Sequence, residues 1–112
     1  RLTEIDLSGC RRVTRDGIVA LLQHCSANLE VLRLALCASL TSECLGALTD
    51  SSRLRVLDLK GCTKVDSIEC LAGAPLEELD LTRTAITDRS LKQASAWCRG
   101  LTRATLNHCT AL

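Results

Sequence analysis

Apolar residues return along this chain in a fixed figure. Counted from Leu2, Leu29, Leu54, Leu76 and Leu101, the third residue on is Ile5, Leu32, Leu57, Leu79 or Ala104. The fifth is Leu7, Leu34, Leu59, Leu81 or Leu106, and the residue between them is polar or charged. The eighth is Cys10, Cys37, Cys62, Thr84 or Cys109. The eleventh is Val13, Leu40, Val65 or Leu112, and the fourth unit reaches the equivalent Ile86 one residue sooner. Five aligned copies at intervals of 22–27 residues are a structural repeat, one that cannot bury its leucines until a neighbouring copy covers them.

The offsets dictate the elements. Offsets three and five share one side of an extended segment, so each copy predicts a short strand with one buried face. The return is predicted to be helical, with Thr14, Thr41, Asp66 and Thr87 where an N-cap belongs. Ile18, Leu21, Leu22 and Cys25 then form one apolar stripe, as do Leu91, Ala94 and Cys98. Asp66 with Glu69 reads as a capping box, and Gly73 and Pro75 stop that helix within about two turns. The predicted fold is α/β: a leucine-rich repeat solenoid, or horseshoe, with parallel strands on its concave face and helices on its convex face. Its units are residues 1–28, 29–53, 54–75, 76–100 and a partial 101–112. With a leucine-bearing unit open at each end, the expectation is a piece of a longer solenoid, marginally stable alone.

Composition narrows the chemistry. Of the 112 residues 46% are hydrophobic, yet Trp97 is the one aromatic, so the core is aliphatic with cysteine and alanine as small fillers. A net charge of +1 provides no field for nucleic acid or an anionic membrane, and neither stacking rings nor a membrane-length apolar run is present. The eight cysteines include no CxxC pair, and His24 and His108 each adjoin a cysteine whose side chain diverges from theirs. Cysteines locked to a repeat read as small buried hydrophobes, ahead of disulfides and zinc. Cys10, Cys37, Cys62 and Cys109 are accordingly expected to be reduced and inward-facing. No metal or cofactor is expected, and the setting is expected to be cytoplasmic, with the nucleus as the alternative.

Units such as LTEIDLSGCRRVTRDGIVALLQHC and LRVLDLKGCTKV resemble the cysteine-containing leucine-rich repeats of F-box proteins. ITD stands intact at Ile86–Asp88, and Cys25 and Cys98 match the cysteine at the end of that family's repeat helix. Thr84, Ala104 and the contracted third unit depart from its pattern. The resemblance implies the substrate-recognition repeats of a ubiquitin-ligase receptor, joined to the ligase scaffold through a segment outside these residues. A structural or adaptor repeat in a ciliary, mitochondrial or cell-cycle assembly is the alternative.

Side chains between the buried leucines point away from the core and are free to recognise a protein. Their central column is Asp6, Arg33, Asp58, Asp80 and Thr105, flanked by Glu4, Val31, Val56, Glu78 and Arg103 and by Ser8, Ala35, Lys60, Thr82 and Asn107. The candidate contact residues are Asp6, Arg33, Asp58, Lys60, Glu78, Asp80, Arg103 and Asn107. Arg33 has two readings: it neutralises Asp6 and Asp58 across about 5 Å, or it awaits a partner carboxylate. Trp97 reads as packing against a neighbouring unit, with a convex contact site as the alternative. Neither histidine has a carboxylate pair or phosphate-cradling loop beside it, so catalysis is not expected.

Overall fold

The computed structural model describes residues 2–109 and 111–112. Strands β1 (Glu4–Asp6), β2 (Val31–Arg33), β3 (Val56–Asp58), β4 (Glu78–Asp80) and β5 (Arg103–Thr105) form one parallel sheet in chain order. The register pairs equivalent repeat positions: Ile5, Leu32, Leu57, Leu79 and Ala104 align across the sheet, and Asp6, Arg33, Asp58, Asp80 and Thr105 form the next row. The repeated sequence figure is thus also the spatial one.

The returns are helical at the first and fourth repeats and tighter in between. The first carries helix α1 (Arg15–Cys25) and the fourth helix α2 (Asp88–Ser95). Thr14 Oγ1 caps α1 by accepting from Gly17 N at 3.1 Å, and Thr87 Oγ1 caps α2 by accepting from Ser90 N at 3.2 Å. Ile18, Leu22 and Cys25 are buried beneath α1 as their spacing predicts. The second and third returns are 3₁₀ segments, Cys44–Leu48 and Glu69–Leu71, which corrects the helices expected there. Reach accounts for the third return, the shortest of the four: fewer residues must cover the same crossing, and a 3₁₀ turn rises about 2.0 Å per residue against about 1.5 Å in an α-helix. The second return is as long as the fourth, and nothing in the structure explains why it lacks an α-helix.

The two inner caps are corrected with them. Thr41 caps no helix; it pairs with Lys64 in a parallel bridge, and its hydroxyl lies 3.4 Å from Cys44 Sγ. Asp66 forms no capping box with Glu69. Its Oδ1 accepts from Ser42 Oγ at 2.6 Å, and Ser42 Oγ in turn accepts from Asp66 N and Ser67 N. That serine ties the second repeat to the third, where a local cap had been expected.

Burial follows position in the stack. Leu29, Leu32, Leu34, Leu54 and Leu59 are fully enclosed, whereas Leu7 and Leu106, just after the outermost strands, are only half-buried. Leu2 and Leu112 are about half exposed. A repeat in the middle is covered from both sides; an outer one is covered from one.

The cysteine column bonds as well as packs. Cys37 Sγ donates to Leu7 O at 3.3 Å, Cys62 Sγ to Leu34 O at 3.0 Å and Cys109 Sγ to Leu81 O at 3.0 Å, each reaching back to the preceding repeat. A thiol is small enough for the crowded turn and still provides a weak donor for a buried carbonyl. Thr84 breaks the series by donating to Leu81 O of its own repeat at 2.8 Å. Just before this column the backbone is left-handed in every repeat, at Gly9, Leu36, Gly61, Arg83 and His108. An added Cβ at Gly61 would also meet the end of the exposed Leu36 side chain at 2.5 Å, which would have to move aside.

All eight cysteines are free thiols. Cys37 and Cys62 are buried, while Cys10 and Cys109 are half-buried on the outermost repeats. Burial pushes the Cys62 thiol up to about 11 from 9.0 and raises Cys37 as well. We therefore expect a thiol reagent at neutral pH to label Cys10 and Cys109 before Cys37 and Cys62, read site by site by mass spectrometry. Equal rates at all four would contradict the burial. Stability should also fall as pH rises from about 9 toward 11. The unfolded Cys62 ionises first and its folded counterpart resists, which removes up to about 3 kcal/mol across that window. Denaturant melts of the wild type and Cys62→Ala at pH 8 and 11 check this: the variant should lose less.

Candidate functional site: the outward face of the sheet

The side chains that point away from the core surround one shallow depression of about 170 Å³. Asp58, Glu78 and Asp80 line it, with Arg33 and Arg103 at its margins and Val56 among its lining residues. Three carboxylates against two guanidiniums leave one negative charge in excess. The structure thus gathers five of the eight candidate residues, Arg33, Asp58, Glu78, Asp80 and Arg103. Asp6, Lys60 and Asn107 do not line the depression, although all three are exposed.

The arrangement follows from the register. Arg33 lies between Asp6 and Asp58 across adjacent strands, Glu78 is opposite Arg103, and Asp58 is directly opposite Asp80. Adjacent strands run about 4.8 Å apart, so Asp58 and Asp80 oppose like charge to like charge, an arrangement that costs stability. Among the described residues the ion pairs lie elsewhere: Arg55 reaches Glu77 at 2.8 Å and Glu30 at 3.7 Å, one column away. The carboxylates of the depression therefore keep their capacity for a cation, and its arginines theirs for an acid.

Each aspartate of the central row has a second task that the sequence reading missed. Asp6 Oδ1 accepts from Ser8 N at 2.9 Å, Asp58 Oδ1 from Lys60 N at 3.0 Å and Asp80 Oδ1 from Thr82 N at 2.9 Å. One carboxylate oxygen closes the turn that ends the strand; the other remains for a partner. At Asp6 this bond from Ser8 N, ahead of the Arg33 charge, holds the carboxyl below its usual range. The signal was legible in the sequence, because Asp recurs two places before the residue that starts the turn.

The flanks differ from a uniformly polar strip. Val31 is buried on the outward side and Val56 half-buried, an apolar patch beside the charges. The Arg55 ladder, bridging Glu30 and Glu77, was likewise not anticipated. Trp97 lies just beyond α2, half-buried against the core. Among the described residues no three histidine, cysteine or acidic side chains gather as a metal would require, and no helix is long and apolar enough to cross a membrane.

Among curated proteins, no match to this chain is found. A family profile described as Leucine Rich repeat matches residues 2–22 and 74–92. Those segments hold β1 with most of α1, and β4 with the start of α2, so they fall on corresponding parts of two repeats. Together with the five-stranded parallel ladder, the match supports a leucine-rich repeat family for this chain.

Proposed function

We propose that this chain is a protein-recognition module that curves as a horseshoe solenoid and holds a segment of another protein on its strand face. Leucine-rich repeats generally mediate protein–protein interaction. The observation that carries the reading is the depression lined by Asp58, Glu78 and Asp80, where two aspartates oppose each other with no cation between them. A lysine or arginine of a partner would relieve that repulsion, and Arg33 and Arg103 would select an acidic neighbour. The sheet holds the backbone beneath these side chains in place, so only the side chains are left to order on binding. Within this reading the chain serves as the substrate-recognition repeats of an F-box-type ubiquitin-ligase receptor. That step is supported by the cysteine column and the ITD segment at Ile86–Asp88.

Affinity purification tests both levels. Bait carrying Asp58→Asn and Asp80→Asn should lose a set of proteins that the wild type retains, and the loss should be greatest at low salt. Identical captures would remove the strand face from recognition. With full-length bait, co-purification of the ligase adaptor supports the receptor role; its consistent absence points to an adaptor repeat in another assembly.

A further inference from the structure

Thr14 combines three features that its counterparts lack together. It is exposed, in extended backbone at φ −90° and ψ 162°, and Arg11 and Arg12 stand three and two residues before it, both exposed in the preceding turn. Thr41 and Thr87 occupy equivalent repeat positions, with Ala38–Ser39 and Thr84–Ala85 three and two residues before them, and offer no such cations there. In the third repeat the position is Asp66, so this fold already accommodates a negative charge there.

Thr14 also borders a polar depression of about 370 Å³ whose other lining residues are Arg15, Ser39, Thr41 and Lys64. Two cations and three hydroxyls line it, with no carboxylate among them. Asp16 and Glu43 belong to the adjoining depression around Val19 and Cys44. Lys64 is drawn in from the third repeat by the backbone bridge to Thr41, so residues of three repeats converge where a group on Thr14 would lie. Arg15 and Lys64 both line the depression beside Thr14, and Arg15 also borders the adjoining one.

We propose that Thr14 is a phosphorylation site for a protein kinase that reads basic residues ahead of its acceptor, and that Arg15 and Lys64 hold the resulting phosphate. The Thr14 hydroxyl oxygen attacks the γ-phosphorus of Mg-ATP and its proton passes to the kinase's catalytic carboxylate. The bond between the γ-phosphorus and the β,γ-bridging oxygen breaks, and ADP leaves. The ester carries close to two negative charges at neutral pH and three acceptor oxygens. Held against Lys64, it would fasten the first repeat to the third.

The test is to incubate the folded chain with ATP and the catalytic domain of a basic-directed serine/threonine kinase. Phosphate is then mapped by mass spectrometry and the thermal melt recorded. Phosphate should appear at Thr14, be absent in Thr14→Ala, and form roughly tenfold more slowly when Arg11 and Arg12 are both alanine. The melting temperature should rise by roughly 2–5 °C on phosphorylation, and less at high salt. Lys64→Ala leaves Arg11 and Arg12 ahead of Thr14 in place, so it should be phosphorylated normally yet lose most of that rise. A peptide of residues 8–17 that is modified while folded Thr14 is not would overturn the site. Modification with no rise, or with the same rise in Lys64→Ala, would overturn the role of the cation pair.

Discussion

Leu57→Ala is expected to remove about 2–5 kcal/mol of stability, a large share of the roughly 5–15 kcal/mol available to a domain of this size. Leu57 lies at the centre of the middle strand, 1% exposed, with Leu32 and Leu79 in register on either side. Removing its side chain opens a void that neither neighbour can fill, because both are held by their own strands. The melting temperature should fall by on the order of 10–20 °C. Leu106→Ala makes the comparison decisive. The same chemistry is removed from a half-buried position just past the last strand, where water already touches the side chain, so the loss should be clearly smaller. Urea melts of both variants measure the difference. Equal losses would mean that stability does not come from stacking repeats against each other.

The second large effect is on binding. Asp58→Asn with Asp80→Asn should weaken a basic partner by roughly tenfold or more, with a shallower dependence on salt, because two carboxylates that oppose each other and form no ion pair would be gone. Asparagine is the informative choice. Its side-chain oxygen still accepts from Lys60 N and Thr82 N, so the strand-end turns survive. Lysine at the same positions reverses the charge but also abolishes both bonds. Each is worth about 0.5–1.5 kcal/mol, so the double lysine variant should melt several degrees lower. Isotherms at two salt concentrations, with melts alongside, separate the two effects. If the asparagine pair binds as the wild type does, the charges of this face are not its means of recognition.

Much of this molecule is legible in its sequence. The residues that align in the repeat, such as Ile5, Leu32, Leu57 and Leu79, are the ones that pair across the sheet. The reason is that a strand's period of two and a fixed repeat leave one register that buries every leucine. The caps at Thr14 and Thr87 were equally legible, because a cap is a local bond within four residues. The inner returns were not. Thr41 and Asp66 look like the same signal, but what each does depends on which residue the neighbouring repeat brings near.

The candidate site divides in the same way. That Asp58, Asp80 and Arg33 leave the core was determined by alternation along each strand, which is local. That Asp58 meets Asp80, that Arg103 closes the margin, and that Lys60 and Asn107 stay outside was decided by the spacing of neighbouring strands and the turns that follow them. So were the half-exposure of Cys10 and Cys109 and the convergence of Lys64 on Thr14. By itself the sequence determined what each repeat is. Only the tertiary structure decided what each repeat touches, because burial and charge pairing depend on a neighbour some 25 residues away in the chain and about 5 Å away in space.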